Sequence, residues 1–215
     1  MKNITKFLMA FLCLGMIFAS CSKGDDINWD ELEEKARQEQ IRRYKTKKEQ
    51  ALQIKTYAEA EFTNPKFSSD STGIWYEVIN EGTGDAYDYT IPAKVSVNYK
   101  GELMNETVFA ATKEGTPANY ANLGYTFNET TQGQFLGSCW YFAFLPASVN
   151  KNGIEQKIYG LLEKGLKKGS KIRFITPSIW GFDNREYKIG DGPTIPANSP
   201  LIYTIEVVSI EKATN

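Results

Sequence analysis

Between Gly165 and Gly181 the chain reads Gly-Leu-Lys-Lys-Gly-Ser-Lys-Ile-Arg-Phe-Ile-Thr-Pro-Ser-Ile-Trp-Gly, and this stretch restricts the fold more than any other. Ile172 and Phe174 alternate with Lys171 and Arg173, the period of a strand buried on one face. Pro177 ends that strand because it has no N–H to donate to a ladder. Ahead of it, Ile158, Leu161, Leu162 and Leu166 fall at three- and four-residue spacing, which predicts a short helix with one apolar face. Gly165 and Gly169 suit the cap and turn behind such a helix, since glycine takes positive φ without steric cost.

The same stretch resembles the FKBP-type peptidyl-prolyl isomerase pattern of glycine, basic strand, Pro-Ser and aromatic-Gly. Two further pieces match in the family's order. Upstream stand Gly73-Ile-Trp-Tyr-Glu-Val-Ile-Asn-Glu-Gly-Thr-Gly84 and Val95-Ser-Val-Asn-Tyr-Lys-Gly-Glu-Leu103. Downstream stands Thr194-Ile-Pro-Ala-Asn-Ser-Pro-Leu-Ile-Tyr-Thr-Ile-Glu-Val207. The resemblance covers residues 70–109 and 154–212. It implies an α+β fold, a bent antiparallel sheet wrapped around a short helix.

The N-terminus carries an address. Met1-Lys-Asn-Ile-Thr-Lys6 is basic, and Phe7 to Ala19 is an apolar run too short to span a bilayer comfortably. Ile17-Phe-Ala-Ser-Cys21 resembles a bacterial lipobox, which makes residues 1–20 a lipoprotein signal peptide and Cys21 the lipid-attachment site. The protein is then expected on the cell envelope, at the outer membrane, facing the periplasm or the surface; ordinary signal cleavage is the alternative. Ser22-Lys-Gly-Asp-Asp26 resembles the surface-export signal of Bacteroidetes lipoproteins, or is a solvated tether. With Cys13 lost and Cys21 lipidated, Cys139 stands alone and no internal disulfide can form. Its apolar setting suits an inert buried thiol.

Residues 27–61 lack glycine and proline, with Asp30, Glu31, Glu33 and Glu34 early and Arg42, Arg43, Lys45, Lys47 and Lys48 later, as a helix dipole favours. Their apolar stripe is thin, so a long exposed helix is expected as a spacer. Dimerisation through it, as in some periplasmic members of the family, is the alternative. Phe62 to Thr72 reads as a hinge, which gives residues 21–72 as anchor, spacer and hinge and 73–212 as the domain. Residues 110–153 depart most from the family and read as a long insertion. Within it, Trp140 to Leu145 reads as a strand, with Phe142 matching a pocket phenylalanine.

The absence of histidine excludes Ser-His-Asp and Cys-His catalysis and histidine metal sites, and a net charge of −1 gives no general field for nucleic acid. Prolyl isomerisation needs no nucleophile, metal or cofactor. Its barrier is amide resonance, about 18–20 kcal/mol, and a dry apolar cleft disfavours the planar amide more than the less polar twisted one. The resemblance carries Tyr99, Phe109, Trp180 and Tyr203 over as catalytic residues, and Phe142 and Ile195 as walls. Trp180 replaces the family's tyrosine before Gly, and its indole N–H can still donate to a substrate carbonyl. The family's floor is a tryptophan at a helix start; here Tyr159 or Leu161 falls to that role. Ala110 stands where the family has an aspartate after Phe109. The expected partner is a proline-containing polypeptide. The expected function is a prolyl isomerase or folding helper for exported polypeptides; the alternative is a binding module with weak or lost turnover. These aromatics could also be plain core.

Overall fold

A computed structural model describes residues 28–86, 93–123, 137–151 and 153–212 of the chain. The signal segment, Cys21 and the insertion aromatics Tyr125, Phe127 and Phe135 lie outside the described residues. Helix α1 (Trp29–Glu61) is followed by strands β1 (Lys66–Phe67), β2 (Trp75–Ala86), β3 (Ala93–Leu103), β4 (Val108–Ala111) and β5 (Ala118–Leu123). Helix α2 (Cys139–Phe144), the hairpin β6 (Ser148–Lys151) and β7 (Ile154–Lys157), and β8 (Lys167–Thr176) come next. A 3₁₀ turn (Ser178–Trp180), β9 (Tyr187–Lys188), β10 (Thr194–Ile195) and β11 (Leu201–Lys212) complete the order.

Among the described residues, seven strands form one antiparallel sheet ordered β1-β2-β8-β11-β3-β4, with β5 also on β3. The free edge of β3 is shared: β5 pairs along Ala93–Val97 and β4 along Lys100–Glu102. The expected α+β class, a long helix ahead of an antiparallel sheet, is what forms. Alternation sorts the faces. Leu201, Tyr203, Ile205 and Val207 on β11 join Ile172 and Phe174 on β8 in the main core, where α2 packs against them. Ile175 and Ile202, register partners on those strands, point to the opposite face.

Contacts divide α1. Up to Lys45 it belongs to a unit of its own, capped by the Asn28 side chain, which accepts from the Glu31 N–H. Ion pairs Glu31–Lys35, Glu34–Arg37 and Glu39–Arg42 run along it. From Thr46 onward the helix belongs with the sheet. Gln50, Ile54 and Ala58, four residues apart, are buried, and Ile54, Ala58 and Phe62 cover Ile175 and Ile202. This half of the helix is therefore a layer of the domain, not the exposed spacer expected. Burying Ile54 alone is worth about 1.5–3 kcal/mol.

The expected hinge is docked as well. Phe62 and Thr72 are buried, β1 pairs with β2, and the Phe67 ring lies 5.3 Å from Trp75.

Two element predictions exchange places. Cys139 to Phe144 is a helix, not a strand, and residues 158–166 form no helix. Instead, the segment after β7 runs against the end of α2: the Leu161 N–H donates to the Phe142 carbonyl at 2.7 Å, and Ala147 N–H donates to the Leu162 carbonyl at 2.8 Å. That close passage requires glycines. A Cβ on Gly160 would collide with the Leu145 carbonyl, and one on Gly165 would stand 2.6 Å from the Phe144 carbonyl oxygen. The region expected as one long insertion is likewise regular in part, since β4, β5 and α2 build the sheet and its cover. The β6–β7 hairpin stands apart from the main sheet.

Candidate functional site

Trp140, second residue of α2, has no exposed surface and sits at the centre of an aromatic cluster. Tyr99 of β3, Tyr120 of β5 and Tyr203 of β11 meet it in edge-to-face contacts, with ring centroids 5.2, 5.7 and 5.8 Å away. Phe109 of β4 meets Tyr203 edge-on at 5.7 Å, and Phe174 lies 5.5 Å beyond Tyr203. The backbone makes room for this at Gly101, which pairs with Tyr203 across the sheet. A Cβ there would stand 2.6 Å from the Phe109 ring. Only glycine lets that ring lie across β3.

Burial divides the candidate residues. Phe109, Tyr203, Leu161 and Ile195 are buried in the core around Trp140, whereas Tyr99, Phe142 and Trp180 are half-buried and pack against it from outside. Of these candidate residues, the three keep some exposed surface. Tyr159, half-buried and with φ 63°, is not part of the cluster. Trp140, and not Tyr159 or Leu161, is the ring at the centre of the aromatic cluster, and Leu161 is buried in the same core. Phe142 is on a helix and not a strand, and its ring meets Trp180 edge-on at 5.1 Å.

Trp180 ends the 3₁₀ turn that follows Pro177. Its indole N–H donates to the Thr72 carbonyl at 2.7 Å, so the donor expected for a substrate is occupied by the chain itself. The Ser138 hydroxyl donates to the Trp180 carbonyl at 3.0 Å, tying the turn to the start of α2. Ala110 lies beside Phe109, opposite Gly101, where the expected carboxylate would stand.

Burial pushes the Tyr99, Tyr120 and Tyr203 phenols up, so all three stay neutral hydrogen-bonding groups at neutral pH. It does the same to the Cys139 thiol, which removes it as a nucleophile. The arrangement is apolar and neutral, with no paired acid and base. It suits binding an apolar ring and lowering a barrier by surroundings, not proton transfer.

Sequence patterning alone assigns no central place to Trp140, Gly101 or Tyr120. The signal for Trp140 was a tryptophan directly after Gly137-Ser138-Cys139, ahead of an apolar run. A run of that length fits a buried strand or a buried helix equally.

AtFKBP13 superposes with a TM-score of 0.50 over 70% of this chain and 99% of its own, at 20% identity. The fold is FKBP-like. No protein-family model matches the chain. By sequence it is similar to the FKBP-type peptidyl-prolyl cis-trans isomerase FkpA of Buchnera aphidicola, 28% identical over 78% of this chain and 52% of the relative. It is also similar to FkpA of Escherichia coli K12, 27% identical over 74% of this chain and 46% of that protein. The chain spans about half the length of the curated relatives it matches. Both relatives carry the name FKBP-type peptidyl-prolyl cis-trans isomerase, and the structural neighbour shares the fold.

Proposed function

We propose that this FKBP-like domain binds Xaa-Pro segments of polypeptides at the partly exposed rings of Tyr99, Phe142 and Trp180, which the buried Trp140 backs, and accelerates their cis-trans interconversion. The observation that supports this reading is the enclosure of Trp140 by Tyr99, Tyr120 and Tyr203, with Tyr99, Phe142 and Trp180 still half open. A proline ring seated there exchanges water for aromatic surface. The amide held beside it lies in surroundings that favour the twisted, less polar form. Tyr99 grips the ring from the sheet side. Phe142 and Trp180 grip the flanking peptide.

Two features favour a second reading, a binding module of low turnover. Ala110 offers no carboxylate, and the Trp180 indole N–H is engaged by Thr72. In this reading the same surface holds the peptide and leaves the barrier nearly untouched.

A protease-coupled assay on Xaa-Pro peptides separates them, with Tyr99→Ala and Trp180→Ala run beside the parent chain and folding followed by circular dichroism. Isomerisation above the spontaneous rate, reduced about tenfold or more by each substitution in folded protein, is the expected result; it corresponds to about 1.4 kcal/mol of lost transition-state stabilisation. Parent protein that leaves the spontaneous rate unchanged would falsify the enzyme reading. Saturable binding of the same peptides would then support the second.

A further inference from the structure

Two polar residues one turn apart on α1 converge on the loops that hold Trp180. Gln50 is only 5% exposed although it lies mid-helix. Its side-chain carbonyl accepts from the Ser178 backbone N–H at 2.9 Å. Its amide nitrogen donates to the Ser178 hydroxyl at 3.0 Å and to the Asn198 carbonyl at 2.8 Å. Ser178 opens the 3₁₀ turn that ends at Trp180, so this amide holds the Trp180 backbone. The Asp183 N–H donates to the Ser178 carbonyl and the Asn198 N–H to the Asp183 carbonyl, which closes a ring of loops around the one side chain.

Lys47 does the matching work for the ring of Trp180. Its ammonium donates to the Asp70 carbonyl at 2.6 Å and to the Ser71 carbonyl at 3.0 Å. The next carbonyl along, that of Thr72, is the acceptor of the Trp180 indole N–H. Gly73 passes so close to the Lys47 stem that a Cβ there would stand 3.2 Å from Lys47 Cγ. Backbone and ring of Trp180 are thus both referred to a single turn of α1.

We infer that Gln50 is a positioning residue for Trp180, with Lys47 as its partner, and that α1 sets the ligand-facing rim of the aromatic site. The binding half of this inference rests on the function proposed above; the structural half does not. The physical reason is that a buried amide making three hydrogen bonds cannot be replaced by an apolar group without leaving the Ser178 N–H and Asn198 carbonyl unsatisfied. The turn then shifts to regain partners, and Trp180 moves with it.

The test uses the full chain and reads the indole protons of its four tryptophans by nitrogen-edited NMR, the Trp180 signal being identified by its loss in Trp180→Phe. In Gln50→Leu the Trp180 indole proton exchanges with solvent about tenfold faster or more, the worth of one hydrogen bond, while the Trp140 proton keeps its parental rate. Lys47→Met, at a partly exposed position, gives the same selective change to a smaller degree. In the Xaa-Pro assay the KM of Gln50→Leu rises about threefold with kcat within about twofold, the pattern of lost binding without lost chemistry. Gln50→Glu, which keeps the acceptor for Ser178, recovers part of the KM change. Parental Trp180 exchange in every variant that folds overturns the inference, as does equal acceleration of all four indoles, which means general loosening. If the parent chain neither isomerises nor binds the peptides, the proposed function fails, and the indole exchange still decides the positioning role.

Discussion

Gly101 has the smallest side chain near the aromatic site and one of the most constrained. The Phe109 ring occupies the space where a Cβ would project, and Tyr203 Cε1 lies 3.1 Å from the same point. Neither ring can retreat, because each is packed edge-on against the other at 5.7 Å and buried in the core. Gly101→Ala is therefore expected to lower stability by about 1–3 kcal/mol, the usual cost of overpacking, measured as a shift in the urea midpoint with unchanged slope. A midpoint equal to that of the parent would mean that the rings move freely and that Gly101 has no packing role. Trp140 works in the reverse sense. It supplies the area on which Tyr99, Tyr120 and Tyr203 all converge, and no smaller ring could meet the three at once.

At the scale of elements, α1 changes character along its length. Ile41 is half exposed in the first unit, while Ile54 is fully buried against Ile175 and Ile202. Ile54→Ala is expected to cost about 2–5 kcal/mol, as buried aliphatic truncations do. Ile41→Ala stays within about 0.5 kcal/mol. Equal, small effects from both in denaturant melts would show that the helix is not part of the domain. The contrast was hard to read from sequence because Gln50, Ile54 and Ala58 make a stripe with a polar residue at its head and alanine at its foot. A buried glutamine looks like a surface residue until the partners of its amide are known. The exchange between α2 and the expected helix at 158–166 has a similar origin. Cys139 to Phe144 is apolar all round, which hides its period. The leucines before Gly165 keep helical spacing, but they serve a loop lying along α2 through its backbone hydrogen bonds.

For the whole molecule, the alkaline side of the pH response is set by tyrosine. There is no histidine to titrate near neutrality. Burial holds the Tyr203 and Tyr120 phenols well above the usual tyrosine range and pushes Tyr141 up to about 12. In the unfolded chain a tyrosine ionises near pH 10. Above that pH the unfolded state releases protons that the folded state keeps, so stability falls as pH rises. Below it both states are neutral and the contribution is complete. The melting temperature is thus expected to hold from about pH 7 to 9 and to drop beyond about pH 10. Tyr203→Phe should make the alkaline fall shallower. An alkaline limb of unchanged steepness in that variant would mean that Tyr203 is ionised in the folded state as readily as in the unfolded one.

Local rules on one chain determined the strands of the sheet and the order of its motifs. Side chains at Ile172 and Phe174, and from Val95 to Val97, must alternate because a pleated backbone turns each successive residue to the opposite face. The same rules put Pro177 at the end of β8, while the family resemblance picked out Tyr99, Phe109, Trp180 and Tyr203, which lie on or beside the strands that meet around α2. Tertiary structure alone decided which ring became the centre of the aromatic cluster, where the Trp180 N–H went, and which half of α1 was buried. Each of those outcomes depends on a partner distant in sequence: Trp140 on Tyr203, Trp180 on Thr72, Gln50 on Ser178. A hydrogen bond or ring contact between such residues exists only once the strands between them have closed, and no local period announces it.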